Sequence, residues 1–136
     1  MKITAVNGFP VKVGHRNCFI VRIETDAGIP GLGEGGISGR ELAMQGALNH
    51  YARFLVGMDP RRIEHIWQLG YRSAFFPSDR HHGSVLAGID IALWDLQGQR
   101  LGVPVHALLG GRSRDYVPAY AHVRGGSMDD VLNHAS

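Results

Sequence analysis

The stretch from Ser84 to Gly111, SVLAGIDIALWDLQGQRLGVPVHALLGG, dictates more of the fold than any other part of the chain. Leu86, Ile89, Leu93 and Leu96 recur at helical spacing and predict an amphipathic helix. Ala87, Gly88, Ala92 and Gly98 are interleaved with them, and these small residues leave room for a neighbouring backbone. The pattern is that of a helix built for close packing. Gly102 is placed to end it and Pro104 to open a short second helix.

The rest of the chain has enough apolar residues to build a core around that helix. Of 136 residues, 44% are hydrophobic and 19% charged, a soluble globular composition rather than a disordered one. No segment approaches the roughly 20 apolar residues of a membrane span, and MKITAVNGFPVKV lacks the form of a secretory leader, so no membrane partner and a cytoplasmic address are expected. Cys18 is the only cysteine, which excludes an intrachain disulfide and a multi-cysteine zinc site. The net charge of +2 comes from arginines scattered among carboxylates; nucleic-acid recognition, which needs a concentrated basic patch, is not expected.

Along the chain, Ile3 to Val13, Cys18 to Thr25 and a Gly-rich segment near Pro30 to Gly35 read as an antiparallel meander, with a turn at Asp26-Ala27-Gly28. Ser38-Gly39-Arg40-Glu41 has the S-x-x-E form of a capping box and predicts a helix burying Met44, Ala47, Leu48, Tyr51 and Leu55, stopped at Gly57. Asp59-Pro60 predicts a second helix that buries Ile63, Ile66, Trp67 and Tyr71. Beyond Gly111 the polar Arg112-Ser113-Arg114-Asp115 reads as a linker. Tyr116 to Val123 reads as a new strand, and Ser127 with Asp130 as a helix start. We therefore expect an α+β domain over residues 1–111, and over 112–136 a linker with the start of a second, α/β domain belonging to a longer protein.

Several residue groups invite a chemical reading. Gly31, Gly33 and Gly36 fit G-x-G-x-x-G, but a polar turn precedes them where a dinucleotide site needs a buried parallel strand. His81 and His82 are adjacent, so their rings diverge and do not converge on a metal. Asp90 and Asp95, five apart, fall on different sides of the helix and suit packing or interface hydrogen bonds better than paired acid/base work. Gly14-His15-Arg16-Asn17 is a short polar hairpin end dense in hydrogen-bonding groups.

Ala87, Ile89, Asp90, Ala92, Leu93, Asp95, Gly98, Gln99, Pro104, Leu108 and Gly110 stand at the matching positions of a signature of the mandelate racemase and muconate-lactonising family of the enolase superfamily, which the chain resembles over nearly its whole length. Gly57 to Glu64, Ile66-Trp67-Gln68 and the Gly110 to Asp115 linker are similar to the sugar-acid dehydratases of galactonate and mannonate type. The resemblance implies a three-stranded antiparallel meander with a helical bundle, the enolase-type N-terminal capping domain, followed by the first strand of a β/α barrel. It also implies a Mg²⁺-dependent hydro-lyase, with the ion bound by the barrel domain, a sugar acid as substrate and a homo-oligomer at full length. Arg16 and Asn17 on the first capping loop, and Ser38 and Arg40 on the second, become candidate substrate-binding residues, although the Ser38 hydroxyl is also wanted as a helix cap. On the strand from Tyr116, side-chain parity sends His122 toward a barrel interior near the strand's C-terminal end, a candidate catalytic position. A racemase or cycloisomerase of the same family, or a binding module without catalysis, remain the alternatives.

Overall fold

A computed structural model of the chain describes residues 1–76, 78–120, 122 and 125–135. The order of elements is β1 (Ile3–Val13), β2 (Arg16–Thr25), β3 (Gly31–Gly35), α1 (Glu41–Leu55), α2 (Ile63–Arg72), α3 (Arg80–Leu101), α4 (Val105–Leu108) and α5 (Met128–Ala135). The strands form one antiparallel sheet in the order β1-β2-β3. The fold is the expected α+β meander and helical bundle.

Alternation along β2 decides which face of the sheet is covered. Phe19, Val21 and Ile23 are buried, while Cys18, Ile20 and Arg22 between them point the other way and are only partly covered or exposed. The buried row meets Met44, Leu48, Tyr51 and Leu55 of α1 and Val85, Ile89, Ala92, Leu93 and Leu96 of α3 in one continuous core. Each fully buried aliphatic side chain there contributes about 1.5–3 kcal/mol relative to exposure. Thr25 is the buried polar side chain of the sheet, and its hydroxyl donates to the Ile29 carbonyl at 2.8 Å.

The small residues of α3 find their partner in β3. A Cβ added at Gly31 would fall on the Ala92 carbonyl oxygen, and one at Gly33 on the Gly88 carbonyl oxygen. The glycine row is therefore a seat for a helix backbone, and Gly36, the third glycine of the dinucleotide-like pattern, is exposed and outside that seat. Gly98 performs the same service for the chain that returns after α3, since a Cβ there would meet the Val103 carbonyl at 2.9 Å. Ala87, by contrast, is exposed. Gly102 ends α3 with φ +67°, and the Gly102 and Val103 N–H groups close back on the Gln99 and Gly98 carbonyls at 3.2 and 3.0 Å.

Some boundaries differ from the sequence reading. Asp59 does not start α2; it caps a preceding turn, accepting from the Arg61 N–H at 3.0 Å and pairing with the Arg61 guanidinium, so the helix begins at Ile63. Tyr71 is exposed rather than buried. Gly70 takes the inward position against Leu86, and the Tyr71 ring stacks on Trp67 at 5.1 Å and 10°. The described residues of the 116–123 segment form no strand and are exposed; residues 121 and 123 of that segment lie outside the description. A strand exists only through a ladder partner, and none of the described residues pairs with this segment. The helix start at Ser127 is present as a reciprocal cap, Ser127 N–H to Asp130 at 3.1 Å and Asp130 N–H to Ser127 Oγ at 3.2 Å.

Two alanine substitutions separate close packing from mere glycine flexibility. Gly33→Ala should destabilise the chain by about 3 kcal/mol, because a backbone carbonyl cannot step aside. Gly46→Ala, on an exposed position of α1 with open space around it, should stabilise by about 0.5–1 kcal/mol. Denaturant melts of both variants check the pair; equal effects would remove the glycine seat as the determinant of the β3–α3 contact.

Candidate functional site

The two polar loops singled out in the sequence lie at the same end of the sheet. β1 and β2 are joined by the tight turn Gly14-His15, closed by the Val13–Arg16 pair, and Gly14 adopts φ +59° as such a turn requires. The second loop runs from Gly36 to Arg40 between β3 and α1. The Asn17 N–H donates to Ser38 Oγ at 3.2 Å, so one hydrogen bond joins the loops across 21 residues.

That contact corrects the capping-box expectation. α1 begins at Glu41 with Arg40 as its N-cap and no side-chain cap bond, because the Ser38 hydroxyl faces the other loop. Glu41 instead accepts from the Gly39 N–H at 2.6 Å. This bond, followed by its own backbone N–H and the Asn17 side chain, holds the Glu41 carboxyl below its usual range. Ile37, half-buried against the core, anchors the loop from beneath.

The four loop candidates do not form one cluster. Asn17 and Ser38 are brought together, while Arg40 turns back to donate to the Gly39 carbonyl at 2.8 Å. By strand parity Arg16 lies on the opposite sheet face, beside Cys18. There the Cys18 thiol is pushed up, first by its hydrogen bond to Glu34, then by burial and the Glu34 charge, with Arg16 acting weakly against them. His122 is exposed and stands edge-on to Tyr120 with ring centroids 5.1 Å apart; among the described residues it contacts neither loop.

Asp79, His82 and Asp95 are accounted for by the fold. Asp79 caps α3, accepting from the His82 N–H at 2.9 Å and facing His82 Nδ1 at 3.0 Å, a role readable from an aspartate just before a helical run. No group of three or more His, Cys, Asp or Glu that could hold a metal occurs among the described residues. Asp95 accepts from the Leu32 N–H and from Gln99 Nε2, both at 2.9 Å, and Gln99 also donates to the Pro30 carbonyl at 2.9 Å. These signature residues fasten α3 to β3. Asp90 lies in a cleft of about 630 Å³ between α2 and α3, lined also by Glu64, Trp67 and Trp94. Burial first, and the Glu64 carboxylate second, raise the Asp90 carboxyl above its ordinary 3.8. Sequence spacing gave no sign that Glu64 and Asp90 would meet across two helices.

With the fold and loops in place, the relatives can be compared. Residues 9–110 match the model of the mandelate racemase / muconate lactonizing enzyme N-terminal domain, and the chain belongs to that family. Among its relatives are a D-mannonate dehydratase of Novosphingobium aromaticivorans, 42% identical over 133 residues, and a D-galactonate dehydratase of Variovorax paradoxus, 44% identical over 132. Each alignment covers 97% of this chain and 33% or 34% of the relative, so the chain spans about a third of their length. An enolase from Pantoea ananatis, crystallised with D-gluconate and Mg, superposes with a TM-score of 0.89 at 38% identity, covering 98% of this chain and 33% of that one. A member of the enolase superfamily from Salmonella Typhimurium superposes at 0.77, 35% identical, over 83% of this chain and 30% of that one. Among the described residues, no helix is long and apolar enough to cross a membrane.

The raised Asp90 carboxyl makes a pH prediction. A carboxyl whose folded pKa lies above the unfolded value contributes its stability while protonated, below 3.8, and loses it as pH rises through the folded value. Asp90→Asn should therefore melt higher than the parent chain at neutral pH, and the two melting curves should converge below pH 3.8. Thermal melts from acid to neutral pH check it; a constant gap would mean that Asp90 is not strained by ionisation.

Proposed function

We propose that the chain is the capping, substrate-selecting part of a sugar-acid dehydratase. In that reaction the proton α to the substrate carboxylate is abstracted and the β-hydroxyl leaves as water, giving a 2-keto-3-deoxy acid. The observation that carries this reading is the superposition of almost the whole chain on an enolase that holds D-gluconate and Mg, joined to relatives named D-galactonate and D-mannonate dehydratase.

The contribution of these residues is selection and enclosure. The turn at Gly14-His15 and the Gly36 to Arg40 loop stand together at one end of a rigid sheet, where polar loops close over a substrate and exclude water. Asn17, Ser38 and Arg40 supply hydrogen-bonding groups suited to a polyhydroxylated acid, with Arg16 at the margin. Mg²⁺, which would stabilise the enediolate, does not fit the described residues, which gather no ligand set. We place its ligands, the base and homo-oligomer contacts in the two thirds of the relatives' length that this chain does not span. His122 is proposed to contact the substrate or aid proton transfer when covered by that remainder.

Two assays test the reading. The 136-residue chain incubated with D-galactonate, D-mannonate or D-gluconate and Mg²⁺ should release no keto acid, whereas a protein spanning the relatives' full length should. In that longer protein His122→Ala should lower kcat/KM by about 10-fold to 1000-fold without unfolding it. Turnover by the short chain, no turnover of any aldonate by the long one, or an unaltered kcat/KM in the His122 variant would each overturn the corresponding part.

A further inference from the structure

We propose that Ser38 and Glu41 are positioning residues that latch the β1–β2 turn to the β3–α1 loop, so that the two loops meet a substrate as one body; the bearing on catalysis rests on the capping function proposed above. The latch follows from strand geometry. In an antiparallel sheet successive N–H groups point to opposite neighbours, and along β2 the odd residues Phe19, Val21 and Ile23 stand opposite Gly35, Gly33 and Gly31 of β3. β3 stops at Gly35, yet the same alternation aims the Asn17 N–H to that side, two residues beyond the last strand partner. A donor in that place has no strand carbonyl to meet. Ser38 Oγ takes it at 3.2 Å, acting as a side-chain continuation of the sheet.

Glu41 braces the same junction from the helix. Its carboxylate accepts from the Gly39 N–H at 2.6 Å and so fixes the backbone next to Ser38. The half-buried Ile37 fixes the loop between Gly35 and Ser38 to the core, and the register of β1 with β2 fixes the turn. Independent flapping of either loop would break the Ser38 bond. Beyond any group it offers a substrate directly, Ser38 thus also acts through Asn17.

Hydrogen–deuterium exchange resolved to single amides in the 136-residue chain tests the latch. In Ser38→Ala the Asn17 amide should exchange roughly 3-fold to 10-fold faster, while the Val21 and Leu93 amides keep the parent rates and Ser38→Thr restores protection. Glu41→Gln should speed exchange at Gly39 and Asn17 together. An unchanged Asn17 rate in Ser38→Ala, or acceleration shared by Val21 and Leu93, would overturn the latch. A Glu41→Gln effect confined to Gly39 would overturn the role of Glu41. In the longer protein, Ser38→Ala should raise KM for the aldonate more than it lowers kcat, and a kcat effect alone would count against loop positioning. A parent protein that turns over no aldonate would defeat the capping reading and leave the exchange result standing.

Discussion

The approach of the α3 backbone to the glycine row of β3 is the contact on which the remaining packing rests. Side chains normally hold a helix away from a sheet, but at Gly31 and Gly33 the carbonyls of Ala92 and Gly88 sit where Cβ atoms would be. That closeness brings Asp95 within 2.9 Å of the Leu32 N–H and Gln99 within 2.9 Å of the Pro30 carbonyl. It also sets Val85, Ile89 and Leu93 against the buried face of β2, leaving the next groove for Met44 and Leu48 of α1. A larger residue in the row would lift the helix and open the core along its length.

The candidate site inherits its geometry from that scaffold, and its chemistry is shaped by how the acidic residues are used. Asp79, Asp95 and Glu41 all accept from backbone N–H groups that lack an in-element partner, and Asp59 does so at the turn before α2. Such carboxylates do structural work at strand edges and helix starts, so they are not left free to converge on an ion. Of these only Glu41 braces the paired loops, which display neutral and cationic hydrogen-bonding groups at Asn17, Ser38 and Arg40.

The meander, the three longer helices and most core positions on those helices were legible because each rests on a local period: alternation in β2, the 3.6-residue repeat in α1 and α3, and glycine at helix ends. The exceptions are instructive. Ser38 and Glu41 have the spacing of a capping box, and only the early end of β3 diverts the serine to Asn17, a fact of tertiary register that no local pattern records. Tyr71 loses its inward place to Gly70 because Leu86 needs the space, again a long-range matter. The loop pair was legible as polar turns, with their role implied by resemblance; the placement of Arg16 on the other sheet face follows from parity and could have been read. The strand expected from Tyr116 has suitable alternation but no described partner with which to form a ladder.

The short sheet has two open edges, and the residues along them bear on self-association. The outward N–H groups of β1 belong to its even positions, and there Pro10 removes one donor while Lys12 adds a charge beside the next. At the lower end of the same edge, Ile3 is paired both ways with the turn after α1, through Met58 and Gly57 at 2.9 and 2.8 Å. On the β3 edge the outward Leu32 N–H is taken by Asp95. Each rim thereby lacks an unbroken run of free N–H donors. The apolar outer face formed by Phe9, Val11, Val13 and Leu32 can meet other surfaces side chain to side chain, whereas an incoming strand would find its ladder of donors interrupted at Pro10 and Leu32.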